Sequence, residues 1–145
     1  MEKLHITSLY MMGNALNLSG TMLRIQCYRT LGHLFTFELR IQKDHQLVTR
    51  GPYAYVRHPS YTGLILTILG TFFSHASGSW IVRCGPLRSL FVQTLAIFWL
   101  LVAFAVVLSL LLRLNREDAV LKNTFGDSWT RWSHNVPYQL IPGIY

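Results

Sequence analysis

Charge is the first thing this 145-residue chain is short of. Only 13% of its residues are charged, against roughly 25% in an ordinary soluble domain. Between Arg88 and Arg113 there is no charged residue at all. Such a stretch is hard to solvate and easy to bury in lipid. Acidic residues are scarcer than basic ones, six against thirteen, for a net charge of +7. The basic residues flank apolar runs and form no cluster that could track phosphates, so nucleic-acid binding is not expected. The two cysteines, Cys27 and Cys84, make no CxxC pair and read as free or buried thiols. Met1 to His5 carries Glu2 and Lys3, which does not suit a signal peptide. GxSxG, P-loop and GxGxxG motifs are absent, which removes support for serine hydrolysis and nucleotide phosphate chemistry. His5, His33, His75 and His134 have no metal-ligand spacing with the cysteines.

What the chain does have is three apolar segments. The strongest, Ser89 to Leu112, is 24 residues long. As a helix it measures roughly 36 Å, enough to cross a hydrocarbon core of about 30 Å. A second runs from about 61 to 82 and turns polar at Ser74 and His75, where it is predicted to bend or end. A third, about 6 to 23, holds Gly13, Asn14, Asn17 and Gly20. Small and polar residues of that kind suit packing against other helices rather than against lipid. The expectation is one all-α integral membrane domain over residues 1–145. It has about three transmembrane helices, with polar segments at about 32–60 and 113–145.

Ten of the thirteen basic residues fall in or beside those two polar segments. The positive-inside rule puts both segments in the cytosol. Residues 61–82 and 89–112 then form a hairpin whose Arg83–Arg88 loop lies on the far side. Cys27 and Cys84 come out near opposite faces, too far apart for a disulfide.

Three polar stretches can carry chemistry. The first is HQLVTRGPYAYVRHPSY, His45 to Tyr61, followed by Gly63. Pro59 disfavours helix at His58, so His58 and Tyr61 are predicted at a helix entrance, where backbone N–H groups favour an anion. Tyr and Arg are also common at the headgroup level, and a plain interface anchor explains the same composition. The second stretch is Arg113-Leu-Asn-Arg116-Glu117-Asp118. Arg113 and Glu117 are i and i+4, so they share a helix face. This is either a surface salt bridge or, at the depth where the apolar run stops, a holder for a membrane substrate's head group. Arg is the side chain that grips a carboxylate bidentately. The third is the tail, with Gly126 as a helix stop and Trp129 and Trp132 on one ridge. Interfacial aromatics anchoring the tail are the simplest reading of that ridge.

The run HxLVTxGPYxYVRHPSYxG, then R-x-x-x-E-D-x-x-L-x-x-x-F-G-x-x-W-x-x-W, then V-P-Y-x-L-I-P resembles the isoprenylcysteine carboxyl methyltransferase family. The likeness covers roughly residues 13–145, and the two main blocks stand in the family's order. The resemblance implies methylation of the C-terminal carboxylate of prenylated cysteines, farnesyl or geranylgeranyl, in CaaX-processed proteins of the endoplasmic reticulum membrane. It implies S-adenosyl-L-methionine as cofactor, contacted by His45, Gln46, Leu47, Val48, Tyr53, His58, Pro59, Ser60, Tyr61 and Glu117. It implies that Arg113 holds the substrate carboxylate, with the site facing the cytosol. Three features depart from the family's pattern. Further helices usually lie upstream, Asp118 replaces a more usual Glu, and Trp129 and Trp132 replace Tyr.

The substrate carboxylate, with a pKa of about 3.3–3.7, is already an anion at neutral pH, so no general base is required. A phospholipid amine methyltransferase and an NADPH-dependent sterol reductase are the rival enzymes. The reductase shares the tail pattern V-P-Y-x-x-I-P-x-I-Y. A non-enzymatic membrane scaffold is the third alternative.

Overall fold

The computed structural model describes residues 7–32, 46–76 and 89–144. Within them the chain is helical, with four α-helices: α1 Ser8–Leu31, α2 Pro59–Ala76, α3 Leu90–Phe125 and α4 Asp127–Asn135. A short 3-10 turn, Gly51–Ala54, precedes α2. Described residues include no strand.

Helix α1 starts where the Thr7 hydroxyl accepts the Tyr10 amide at 3.3 Å, satisfying one of the donors a helix start leaves open. It ends at Gly32, whose φ of 54° is a conformation glycine adopts without a Cβ penalty. The helix runs eight residues past the apolar segment seen in the sequence, because Arg24 and Arg29 extend it without breaking its hydrogen bonding.

The face α1 buries is made of small residues seven apart: Gly13, Gly20 and Cys27. Helix α2 answers with Gly63 and Gly70, also seven apart, and Ser74. The two helices run antiparallel, with Gly13 against Gly70 and Gly20 against Gly63. A Cβ placed on Gly20 would lie 2.5 Å from the Gly63 carbonyl oxygen, and one on Gly13 would lie 2.7 Å from that of Gly70. Backbone meets backbone here, which is how helices associate when no water is displaced to drive them together. Asn17 and Thr71 meet across the same seam at 3.2 Å.

Helix α3 has a different character. Among the described residues it is the one helix long and apolar enough to cross a membrane, and none of its apolar window is buried within the molecule. Phe91, Phe98, Leu101 and Phe104 are more than 60% exposed. From Ala103 onward, partly buried residues follow a 4–3 spacing through Val107, Leu110 and Leu114 to Glu117 and Asp118. That stripe turns the polar end of α3 toward α2. The helix runs thirteen positions past Leu112, where its uncharged apolar run ends, and stops at Gly126, φ 52°. The Arg83–Arg88 loop and Cys84 lie outside the described residues, as do residues 77–82 of the predicted 61–82 segment. Helix α2 itself is described to Ala76, close to the predicted break at Ser74.

Trp129 and Trp132 do not act as interface anchors, as the sequence suggested. Both are buried, at 8% and 7% exposure, and with Val136 they form a core packed by Leu47, Tyr53, Leu121 and Phe125. Their i, i+3 spacing gives the expected ridge, but it faces inward, with the Trp132 indole N–H donating to the Tyr53 carbonyl at 3.2 Å. An indole needs such a partner when buried.

Candidate functional site

The site begins with Pro59. It starts α2, leaves His58 in front of the first turn, and is itself fully buried. After α4 the chain turns back and lays residues 137–140 along this entrance. The Arg57 amide donates to the Tyr138 carbonyl at 3.0 Å and the His58 amide to the Gln139 carbonyl at 2.8 Å. The Thr62 hydroxyl donates to the Leu140 carbonyl at 2.7 Å, and the Arg57 guanidinium to the Pro137 carbonyl at 3.2 Å. At the helix entrance where backbone N–H groups were expected to favour an anion, the His58 amide is therefore satisfied by the chain's own tail, and the Tyr61 amide donates to the His58 carbonyl at 3.0 Å.

Two carboxylates from α3 meet this entrance. Helix rotation of about 100° per residue places Glu117 and Asp118 on either side of the His58 ring. Nε2 of His58 lies 3.0 Å from Oδ1 of Asp118, and Nδ1 lies 3.4 Å from Oε2 of Glu117. Both ring nitrogens face anions, which suits an imidazolium that donates from each. Glu117 also accepts from the Tyr61 hydroxyl at 2.6 Å and pairs with Arg113 Nε at 2.6 Å. Asp118 also pairs with Arg57 at 3.0 Å and accepts from Gln139 Nε2 at 3.1 Å. The Tyr61 ring stacks on His58, centroids 5.6 Å apart. The Arg57 guanidinium sits over Trp129 at 5.8 Å.

Burial by itself would push the His58 pKa down. Hydrogen bonds to Asp118 and Glu117 outweigh it and hold the imidazole above its ordinary value. Burial pushes Glu117 up, but the bonds from His58 and Tyr61 and the charge of Arg113 bring it below the usual carboxylate range. With His58 protonated, three cations (Arg57, His58, Arg113) face two carboxylates. The cluster carries one surplus positive charge, in a site where two of its members, His58 and Asp118, are less than 10% exposed.

Tyr53 lies behind this cluster. Burial, the neighbouring Cys27 and the Glu117 charge all raise its phenol above the ordinary value, so it stays neutral. A cavity of about 440 Å³ opens at the C-terminal end of α1, where Arg29 and Thr30 face Gln46, Leu47, Val48 and Arg50.

The structure thus divides the residues singled out in the sequence. His58, Pro59, Tyr61, Arg113 and Glu117 converge on one cluster, and Ser60 is half-buried in the first turn of α2. Gln46, Leu47 and Val48 line the cavity, and Leu47 and Tyr53 also pack under the tryptophan core. His45 lies outside the described residues. Sequence reasoning missed Arg57, Asp118 and Gln139. Asp118 had a signal, since it follows Glu117 on a helix whose buried face passes between them. Gln139 had none.

A helical protein with, among the described residues, one membrane-length apolar helix and a buried ionic cluster where that helix becomes polar is the class these features define. The comparisons sharpen it. The profile of the isoprenylcysteine carboxyl methyltransferase family matches residues 13–123, and the chain belongs to that family. It is 30% identical over 122 residues to protein-S-isoprenylcysteine O-methyltransferase B of Arabidopsis thaliana, covering 81% of this chain and 52% of that protein. It is 39% identical over 102 residues to the protein-S-isoprenylcysteine O-methyltransferase of Schizosaccharomyces pombe, 69% of this chain and 36% of that one. The Xenopus laevis protein of the same name is 31% identical over 143 residues, 96% of this chain and 43% of that protein. The chain spans about half the length, or less, of these curated relatives.

Proposed function

We propose that this chain takes part in S-adenosyl-L-methionine-dependent methylation of the C-terminal carboxylate of prenylated cysteines. The observation that carries the reading is the surplus positive charge of the cluster, placed where the apolar run of α3 ends at Arg113. A prenylcysteine enters with its tail in lipid and its carboxylate at that boundary. Arg113 is the cation nearest the apolar run and the one whose side chain is 37% exposed, so an incoming anion can reach it.

The donor set suits the cofactor. S-adenosyl-L-methionine carries an ammonium, a carboxylate and a sulfonium. Glu117 offers a carboxylate to the cationic parts, and His58 offers a cation to the carboxylate. The cavity at Gln46, Leu47 and Val48 falls in the range of about 300–1,000 Å³ typical of small-molecule sites. When bound, the cofactor supplies an electrophilic methyl group. The protein's own task is alignment and exclusion of water. Arg113 would hold the substrate carboxylate bidentately and so fix its orientation. Glu117, fixed by Tyr61, His58 and Arg113, positions the cofactor. Tyr53, Pro59 and Ser60 complete the wall on the α2 side.

The same reading keeps one domain over 1–145 with three spans, about 6–23, 61–82 and 89–112. The segments about 32–60 and 113–145 face the cytosol at the endoplasmic reticulum. The glycine seam supports α1 and α2 as a packed membrane pair. Prenylated protein C-termini and membrane lipid are the partners.

Methyl transfer from labelled S-adenosyl-L-methionine to a farnesylcysteine analogue, in membranes carrying the chain, tests the proposal. Carboxyl methyl ester formation is expected. Methylation of phosphatidylethanolamine instead, or tight NADPH binding with no cofactor signal, would replace it with one of the rival activities.

A further inference from the structure

Asp118 has three side-chain partners, as many as Glu117, yet is itself assigned no contact with cofactor or substrate. Its Oδ1 meets His58 Nε2 at 3.0 Å. Its Oδ2 meets Arg57 at 3.0 Å and Gln139 at 3.1 Å. It is 8% exposed. Those three partners come from three places: the α2 entrance, the residue before it, and the returning tail. We propose that Asp118 is a positioning residue, which acts through His58 to fix the Glu117 carboxylate and fastens the tail across the α2 entrance.

The chemistry runs in one direction. His58 faces Glu117 and Asp118 from α3, the Tyr61 ring from α2, and Arg57 in its own segment. Asp118 is the closer of the two acids, 3.0 Å against 3.4 Å. With Asp118 charged, the imidazolium is held in its plane with Nδ1 aimed at Glu117. Without that charge, a buried ring has one anion instead of two and loses its proton at a lower pH. Neutral His58 then keeps one N–H. It can serve Glu117 or position 118, but not both. Arg57 has the opposite effect, because it shares Asp118 with His58 and draws on the same negative charge.

This inference rests on the proposed role of Glu117 in cofactor binding, but its first test does not. The histidine ring resonances of the full chain are titrated by NMR in detergent, with His58 assigned from a His58→Gln spectrum. Asp118→Asn keeps the shape and is expected to lower the His58 titration by at least about one pH unit. Arg57→Gln is expected to move it upward. Asp118→Glu is expected to restore a titration near that of the parent. S-adenosyl-L-methionine affinity, measured on the same samples from pH 5 to 9, is expected to fall for Asp118→Asn about tenfold, mostly on the alkaline side. A His58 titration that moves in neither variant, or in the same direction in both, overturns the proposal. So does an affinity loss for Asp118→Asn that is the same at every pH, since that is the signature of general loosening. A parent chain that binds no cofactor sinks the Glu117 reading, while the titrations still decide the role of Asp118. Should Asp118→Asn fail to fold, the sign of the Arg57→Gln shift decides it.

Discussion

Among the described helices α2 packs against α1 and α3, and it holds them in opposite ways. Against α1 it offers glycines, and the contact works because no side chain projects at Gly13, Gly20, Gly63 or Gly70, where the backbones meet. Against α3 it offers His58 and Tyr61 at its entrance, and the contact works because two carboxylates receive them. The first seam holds no ion pair among the described residues and is extended along the helices. The second is charged and confined to the polar end of α3, while the apolar window of α3 stays uncovered. A glycine seam tolerates no added atom but has no chemistry. An ionic junction is chemically active, and a substitution there should alter ligand binding before it unfolds the helices.

The largest effect expected from that contrast lies in the glycine seam. Gly20→Leu must push a side chain through the Gly63 carbonyl, 2.5 Å from where its Cβ would sit. Overpacking costs about 1–3 kcal/mol when side chains can yield, and backbone yields less. Unfolding in detergent should show a loss at or above the top of that range. Stability close to the parent's would mean the two helices do not touch as described.

The ionic junction should respond differently. Glu117→Gln removes a charge but keeps the volume, and losing one charge-assisted hydrogen bond costs about 1.5–3 kcal/mol, roughly tenfold to a hundredfold in affinity. Calorimetry should place that loss in cofactor binding, with helical content unchanged by circular dichroism. If unfolding moves more than binding does, the junction is only structural.

The pH dependence of stability separates the seams further. His58 is raised on folding, so its contribution is full below its unfolded value of about 6.5 and is lost as pH rises through the higher folded value. Glu117 is lowered on folding, so its contribution is full above its unfolded value of about 4.3 and is lost as pH falls through the lower folded value. Stability should therefore be greatest between the two unfolded values. Thermal melts from pH 3 to 9 check this, and His58→Gln should flatten the alkaline limb. The smallest effect belongs to the uncovered face of α3. Leu101 is 62% exposed, and Leu101→Ala should change stability by less than about 0.5 kcal/mol.

Much of this was legible in the sequence where the signal is local. Gly13, Gly20 and the two asparagines announced a packed α1. The i, i+4 spacing announced the Arg113–Glu117 pair, and Pro59 announced a helix start behind His58. The tail was not legible. Trp129 and Trp132 carry the same composition whether they face a headgroup layer or a core, and only Leu47 and Tyr53 from a distant segment decide it. The bonds from Arg57 and His58 to residues 138 and 139 are between backbones, and backbone atoms leave no mark in a sequence. Asp118 looked like a mild replacement for Glu, because its three partners are 21 to 61 positions away.

Arg113 tests the central claim most directly, because it follows the apolar run and belongs to the junction at once. Arg113→Lys keeps the charge but loses the planar fork that grips a carboxylate. Methyl transfer to a farnesylcysteine analogue and cofactor affinity should be measured on parent and variant in the same membranes. Loss of most turnover with cofactor affinity retained is the expected result. Near-normal turnover would contradict it and leave Arg113 as an anchor at the membrane boundary.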